Sequence, residues 1–391
     1  MPLLVVLACA CFVAALSIRV IDPLVPEIAR DLVSAPQTIA MLASAFAVPY
    51  ALSQPFLGPL GDSIGKARVI KGCLLALLLS LIVSTVADSV EVLFISRIAA
   101  GLAGGGIIPV SFAIIGDRFD IQHRQVALSR VLGAMLTAIL VGSVASGLIA
   151  SAFGWRAVMG LAAAVTAVAL VVAMVSLKPR ENRPEGRFGL KSIIHGYRVV
   201  FQNPRAILCY VAVFVEGVFV FGLLPYIAVL LEQRGAGGVR EAGFVLAGMG
   251  LGGVLYTVAV PLLLRLLGNM FNLIRMGGIL AAIGYGGVAL AGPWWIEMVA
   301  FAILGFGFYC IHNSLQTQAT ELAPKNRGAA VSLHAFFFFL GHAAGPPLYA
   351  VALGTAGAWL TLSSLVVIVP LLALLLAWSL QRLHTVAAAT V

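Results

Sequence analysis

Long apolar runs separated by short polar turns make up almost the whole chain. Twelve such runs, near 3–28, 37–60, 69–87, 91–115, 126–150, 157–177, 206–231, 243–264, 271–292, 295–318, 329–353 and 357–380, are read from the pattern. Each is close to the span of about twenty residues that an α-helix needs to cross a hydrocarbon core. The expected fold class is therefore all-α, a polytopic membrane protein with twelve transmembrane helices. The first run lacks a charged leader region and an obvious small-residue cleavage site, and it carries Arg19 and Asp22. It is expected to remain as the first helix rather than act as a secretory signal.

Composition agrees with the pattern. Hydrophobic residues make up 61% of the chain and charged ones 10%, with a mean hydropathy of +1.08, whereas about a quarter of a soluble domain is charged. The five cysteines, Cys9, Cys11, Cys73, Cys209 and Cys310, all fall inside apolar runs, so neither disulfides nor a metal site is expected. No Gly-x-x-x-x-Gly-Lys-(Ser/Thr) loop is present to hold ATP, and no nucleophile and base stand at a recognisable spacing. Neither an enzyme nor a cofactor is expected.

The net charge of +9 changes the picture through its distribution. With both termini placed inside, 18 of the 24 Lys and Arg fall in cytoplasmic segments, 4 in outer loops (Arg30, Arg156, Arg234, Arg240) and 2 in the membrane (Arg19, Arg97). That bias is the positive-inside rule, and it answers the charge without nucleic acid. A multi-pass protein of the inner (plasma) membrane with both termini cytoplasmic is expected, acting as a monomer. Seven basic residues lie between Lys178 and Arg205, together with Pro179, Pro184 and Gly186. This stretch divides the chain into an N-terminal six-helix bundle (1–178), a cytoplasmic linker (179–205) and a C-terminal six-helix bundle (206–391). A short surface helix is expected around Ile193 to Phe201, where membrane lipid headgroups could bind.

The two halves read as repeats. Gly65 matches Gly268, Arg124 matches Arg327, Gly142 matches Gly345 and Gly154 matches Gly357, each at an offset of 203 residues. Parallel six-helix repeats of this kind are one layout of secondary transporters.

Polar residues inside the runs carry the candidate chemistry. Arg19 and Asp22 stand three apart near the outer end of the first run, beside Pro23 and Pro26, and can pair. Arg97 in the fourth run needs water or a carboxylate, and Asp22 is the expected partner, either for tuning a proton-binding acid or for fixing two helices. Glu216 lies about ten residues into the seventh run, near the expected midplane, where a carboxyl group exchanging its proton with solvent access is what coupling needs; a structural hydrogen bond across helices is the alternative. Tyr309, His312, Asn313 and Gln316 follow helical spacing in the tenth run, and His334 and His342 sit in the eleventh. With Tyr50 and Phe219, these are candidate cavity and substrate residues, His342 being also a candidate proton carrier after Glu216 and Asp22. Further aromatics, Phe221, Tyr226, Phe306, Phe308 and Phe336 to Phe339, could line a greasy pocket, although four consecutive phenylalanines cannot share one helix face.

The polar island Gly58-Pro-Leu-Gly-Asp-Ser-Ile-Gly-Lys-Ala-Arg68 resembles the Gly-x-Leu-x-Asp-x-x-Gly-(Arg/Lys)-x-Arg signature of major facilitator superfamily transporters, with Ser63 at the usual basic position. Arg97 to Gly106 resembles the family's Arg-x-x-x-Gly motif, and Gly142 to Arg156 aligns with the exporter motif Gly-Pro-x-x-Gly-Gly, Ser143 and Ser146 replacing Pro and Gly. The segment Arg19 to Pro26 resembles the Asp-x-x-Leu-Pro-x-x-Pro pattern of the drug:proton antiporter branch, with the acid displaced to Asp22. The resemblance implies a major facilitator fold, and a charge cluster of Asp62, Lys66, Arg68 and Asp117 that latches the cytoplasmic side. It also implies proton-coupled export of a small hydrophobic or amphipathic compound by alternating access. An importer or facilitator of a small polar metabolite is the alternative expectation. A non-transporting receptor is disfavoured, since it gives no reason for acids and arginines at such depth.

Overall fold

The computed structural model describes residues 3–177 and 190–389, with side chains throughout except at 58, 59, 62, 121, 122, 124, 125, 190–193, 325 and 385–389. Residues 179–189 of the expected linker, Lys178 before it and the side chains of Asp62 and Arg124 lie outside the described residues. All regular structure among the described residues is helical. The chain divides into two compact units, Met1–Lys191 and Ser192–Val391.

In the first unit the order is α1 (Leu3–Arg19), α2 (Val25–Asp31), α3 (Pro36–Ile64), α4 (Lys66–Thr85), α5 (Val90–Arg118), α6 (Ile121–Phe153) and α7 (Trp155–Ser176). α1 and α2 form one membrane-long element interrupted by a 3-10 turn at Asp22–Leu24. Pro23 and Pro26 each withdraw a backbone donor there, which is why the helix tightens rather than running straight through. α1 packs on α6, α7 and α5, while α3 lies along α5 and α4 bridges α5 and α7.

Small residues set those distances. A Cβ on Gly104 would stand 3.4 Å from both Phe46 and Tyr50 of α3, and one on Gly106 only 2.7 Å from Leu57. Such close approach is what a run of glycines allows, and it replaces the hydrophobic driving force that lipid cannot supply.

The second unit repeats the plan. It comprises α8 (Leu190–Phe201), which begins at the boundary, then α9 (Arg205–Glu216), α10 (Ile227–Gln233), α11 (Val239–Leu267), α12 (Met270–Ala289), α13 (Trp294–Leu322) and α14 (Arg327–Ala389). α9 and α10 again make one span, here interrupted by a π turn at Gly217–Phe221 and a 3-10 turn at Leu224–Tyr226 that contains Pro225. α14 is two helices joined at Gly357, where φ is +76°. Counting that break, the eleven membrane-length stretches among the described residues make twelve spans.

The repeat is visible in the backbone. Gly154 and Gly357, the matched pair at the last helix boundary of each half, both have left-handed φ values, +83° and +76°, as do Gly65 and Gly268 at +102° and +78°. A side chain at such a position meets its own backbone, so glycine recurs. Large apolar side chains such as Val258, Val175 and Trp359 are exposed on these spans, which suits a lipid surround.

Candidate functional site

Two polar clusters sit inside the spans, one in each unit. In the first unit, Asp22 is buried in the 3-10 turn, and its Oδ2 pairs with Arg19 Nη1 at 3.5 Å. Arg97, 1% exposed, instead donates from Nη1 to the Ser17 carbonyl at 3.0 Å and lies over the Phe46 ring, 4.3 Å from its centroid. Arg97 and Asp22 are charge neighbours, but of the two pairings expected for Asp22 the ion pair is the one with Arg19. Asp22 opens the 3-10 turn only three residues beyond Arg19, the last residue of α1, and its short arm meets Arg19 there. Tyr50 is buried against Phe46, the ring centroids 5.5 Å apart, in the α3–α5 contact.

At the turn between α3 and α4, Lys66 Nζ donates to Asp117 Oδ2 at 2.7 Å, joining α4 to the end of α5. Arg68 does not enter this pair; its Nη1 caps the Ile64 carbonyl at 3.2 Å. In the second unit Arg327 and Glu321 stand 3.8 Å apart and exposed, a geometry worth little in water.

The second unit holds the larger cluster. Glu216, 8% exposed, closes α9, and its Oε2 is hydrogen-bonded to His312 Nδ1 of α13 at 2.9 Å, while Oε1 has no hydrogen-bond partner among the described residues. His312 stacks on Phe308 at 5.0 Å and packs at a tilt on Phe338 at 4.5 Å, and His334 of α14 lies 5.1 Å from it with both ring nitrogens unpartnered among the described residues. His342 packs on Phe221 at 3.9 Å and on Phe338 at 4.3 Å. Thus Glu216, His312, His334 and His342 come together.

The other expected cavity residues of α13 diverge. Tyr309 stacks with Tyr256 of α11 at 6.1 Å, Asn313 also turns to Tyr256, and Gln316 is exposed. The 3.6-residue period fans these positions over more than one face, so only His312 reaches Glu216. Phe219 contributes its carbonyl, which accepts from Tyr349 Oη at 2.7 Å, and Phe221 supplies the ring that joins the cluster.

Some polar residues escaped the sequence reading. Glu297, 0% exposed, pairs with Arg234 at 2.8 Å across α13 and the end of α10. Glu27 accepts the Trp155 N–H at 2.9 Å, and Asp31 accepts the Trp155 indole N–H at 3.1 Å and an Arg156 N–H. An acid in a first helical turn, as Glu27 and Glu297 are, is ordinary enough to pass unnoticed; the only available signal was that Glu27 and Asp31 flank the outer Arg30.

Comparison with known proteins follows the same lines. The family model described as Major Facilitator Superfamily matches residues 7–346. Multidrug resistance protein 2 of Bacillus subtilis (strain 168) is 25% identical over 352 residues, 86% of this chain and 85% of that protein. Multidrug resistance protein 1 of the same organism is 23% identical over 339 residues, 86% and 85%. Among solved structures, the peptide transporter POT has the same fold, with a TM-score of 0.79 and 16% identity, covering 97% of this chain and 94% of that one. With twelve spans, two six-helix units and a family match over most of its length, the chain belongs to the major facilitator superfamily, whose members are membrane transporters of small molecules.

Proposed function

We propose that this transporter exports a small hydrophobic or amphipathic compound in exchange for protons, by alternating access, with Glu216 as the proton-carrying group. The observation that carries the reading is the Glu216–His312 hydrogen bond, buried among Phe221, Phe308 and Phe338. The pair can be written as a carboxylic acid donating to an imidazole or as a carboxylate accepting from an imidazolium, with the same net charge. It therefore stores one proton without an unbalanced charge in apolar surroundings. A substrate that takes the unpartnered Oε1 competes with that proton, and reciprocity of binding turns the competition into coupling.

Asp22 is the second proton-carrying candidate, and His342 the third. The Lys66–Asp117 contact serves as the latch, on a cytoplasmic side that also holds both termini. The two multidrug resistance proteins favour export of drug-like compounds. One observation favours a more polar substrate, and with it an importer: both buried ring nitrogens of His334 lack hydrogen-bond partners among the described residues, and such atoms favour a ligand that satisfies them.

Reconstitution in liposomes with a pH gradient of either sign separates the readings. Movement of substrate against the proton flow supports exchange, and movement with it supports uptake. Glu216→Gln is expected to abolish accumulation while leaving downhill exchange intact. A Gln variant that still concentrates substrate refutes the role of Glu216.

A further inference from the structure

Glu216 is followed by a feature that apolar periodicity does not encode. The next five residues, Gly217–Phe221, form a π turn, and helical geometry resumes at Gly222, whose N–H donates to the Val218 carbonyl. A π turn holds one residue more than the α turn it replaces, and such turns persist where something secures the extra residue. At 3.6 residues per turn, positions five apart point about 140° away from each other. With i→i+5 hydrogen bonding they nearly align.

Two pairs of residues five apart use this alignment. Gly217 and Gly222 both press on α14: a Cβ on Gly217 would lie 2.6 Å from the Phe338 carbonyl oxygen and 3.0 Å from Gly341 Cα, and one on Gly222 would lie 2.6 Å from Gly345 Cα. Gly341 and Gly345 are four apart and share one face of α14. An i,i+5 spacing on one helix is thus matched to an i,i+4 spacing on its neighbour. Glu216 and Phe221 form the second pair. Glu216 bonds His312, and Phe221 stands edge-on to Phe308 and Phe338, the two rings against which His312 packs.

We infer that the π turn is the element that positions Glu216 on His312, and that passage of its extra residue toward Arg205 is the motion that carries Glu216 off His312 during proton exchange. The inference rests on the reading of Glu216 as the proton carrier. When a bulge migrates, the residues it passes rotate by about 100° and advance by about 1.5 Å. Glu216 and Gly217 then leave His312 and Gly341, while Phe221 and Gly222 keep Phe308 and Gly345. The drive is charge: once its proton has gone, the pair is an anion among phenylalanine rings, and rotation is what brings the carboxylate a new environment. The titratable groups around the cluster are His312 on α13, His334, His342 and Tyr349 on α14, and Tyr285 on α12. None of these is a cation or anion fixed in charge that could replace the lost proton. Gly217 and Gly222 are positioning residues, since they touch neither proton nor substrate.

Amide hydrogen exchange of the whole protein in lipid nanodiscs tests this, at low and high pH, in the wild type and in Glu216→Gln. After correction for intrinsic rates, peptides covering 214–222 in the wild type are expected to lose about tenfold protection at high pH, whereas the Gln variant stays protected at both. Equal protection in the two proteins at both pH values overturns the inference. Deletion of Val220 supplies a second test, because it makes both pairs i,i+4 and allows an uninterrupted α-helix with the same contacts. The deletion variant is expected to bind substrate within about threefold of wild type, to lose accumulation, and to show a flat pH profile of binding. Wild-type accumulation by the deletion variant also overturns the inference. Should the deletion fail to fold, hydrogen exchange on the wild type decides. Failure of the proton-carrier reading is separately visible as accumulation by Glu216→Gln.

Discussion

Removing Arg234 should cost the protein more than removing its partner, and the cost should depend on pH. Glu297 is fully buried, whereas the Arg234 side chain is 24% exposed and also donates from Nε to the Leu230 carbonyl. Neither Glu297 oxygen has an aligned hydrogen bond among the described residues, so the ion pair at 2.8 Å is what balances the carboxylate. Arg234→Met leaves Glu297 an unpaired buried anion, which can escape only by binding a proton. From an ordinary glutamate value of about 4.3 to a pH of about 7, that is about 2.7 units at about 1.36 kcal/mol each, a ceiling of about 4 kcal/mol.

Such a cost is present above the unfolded-state value and shrinks as pH falls toward it, to about 1 kcal/mol at a pH of about 5. Glu297→Gln leaves an arginine that can swing toward water, so about 1–2 kcal/mol is expected, with little pH dependence. The double change to uncharged residues should lie nearer Glu297→Gln than the sum of the singles. Thermal unfolding of the detergent-solubilised proteins at the two pH values measures this. Equal, pH-independent losses for the two single variants would refute the reasoning, because they would mean that Glu297 is as free as Arg234 to find water.

Other outcomes follow from the remaining contacts. In double-mutant cycles on unfolding, Asp22 should couple to Arg19 by about 1–2 kcal/mol and to Arg97 by less, since only Arg19 makes the ion pair; a larger coupling to Arg97 would reverse the assignment. Asp117→Asn should change stability by less than about 1 kcal/mol, because the Lys66–Asp117 pair is partly exposed. It should nevertheless depress the transport rate in liposomes; an unchanged rate would exclude the latch. Gly106→Ala should destabilise by about 1–3 kcal/mol, since its Cβ would stand 2.7 Å from Leu57 and 3.0 Å from Cys73. An unaltered melting temperature would show that the two side chains give way freely.

Legibility in the sequence divided along a physical line. Span positions depend on local apolarity, and the structure places helices over each expected run. Gly154 and Gly357 were legible as a matched pair because a left-handed φ admits few residues besides glycine. Partners were not legible. His312 is 96 residues from Glu216, and nothing in its surroundings separates it from Asn313, which turns to another helix. Asp22 was legible as a charge neighbour of Arg97, but the Ser17 carbonyl that takes its hydrogen bond was not, because counting charges overlooks backbone carbonyls. The π turn at Gly217–Phe221 was invisible for a similar reason: the glycines that secure it meet others more than a hundred residues away.

The polar knot at the opposite end of the first unit from Lys66 has a practical use. Glu27 and Asp31 hold Trp155 and Arg156, and Arg156 Nη2 donates to the Ala87 carbonyl at 2.8 Å, so three chain segments distant in sequence are tied at one point. Val33 and Val86, 93% and 72% exposed, flank the knot on two of those segments. Spin labels at these two positions form a built-in ruler whose length should stay constant through the transport cycle. Against that fixed length, any change measured from either label to the second unit reads directly as motion of whole units rather than local rearrangement.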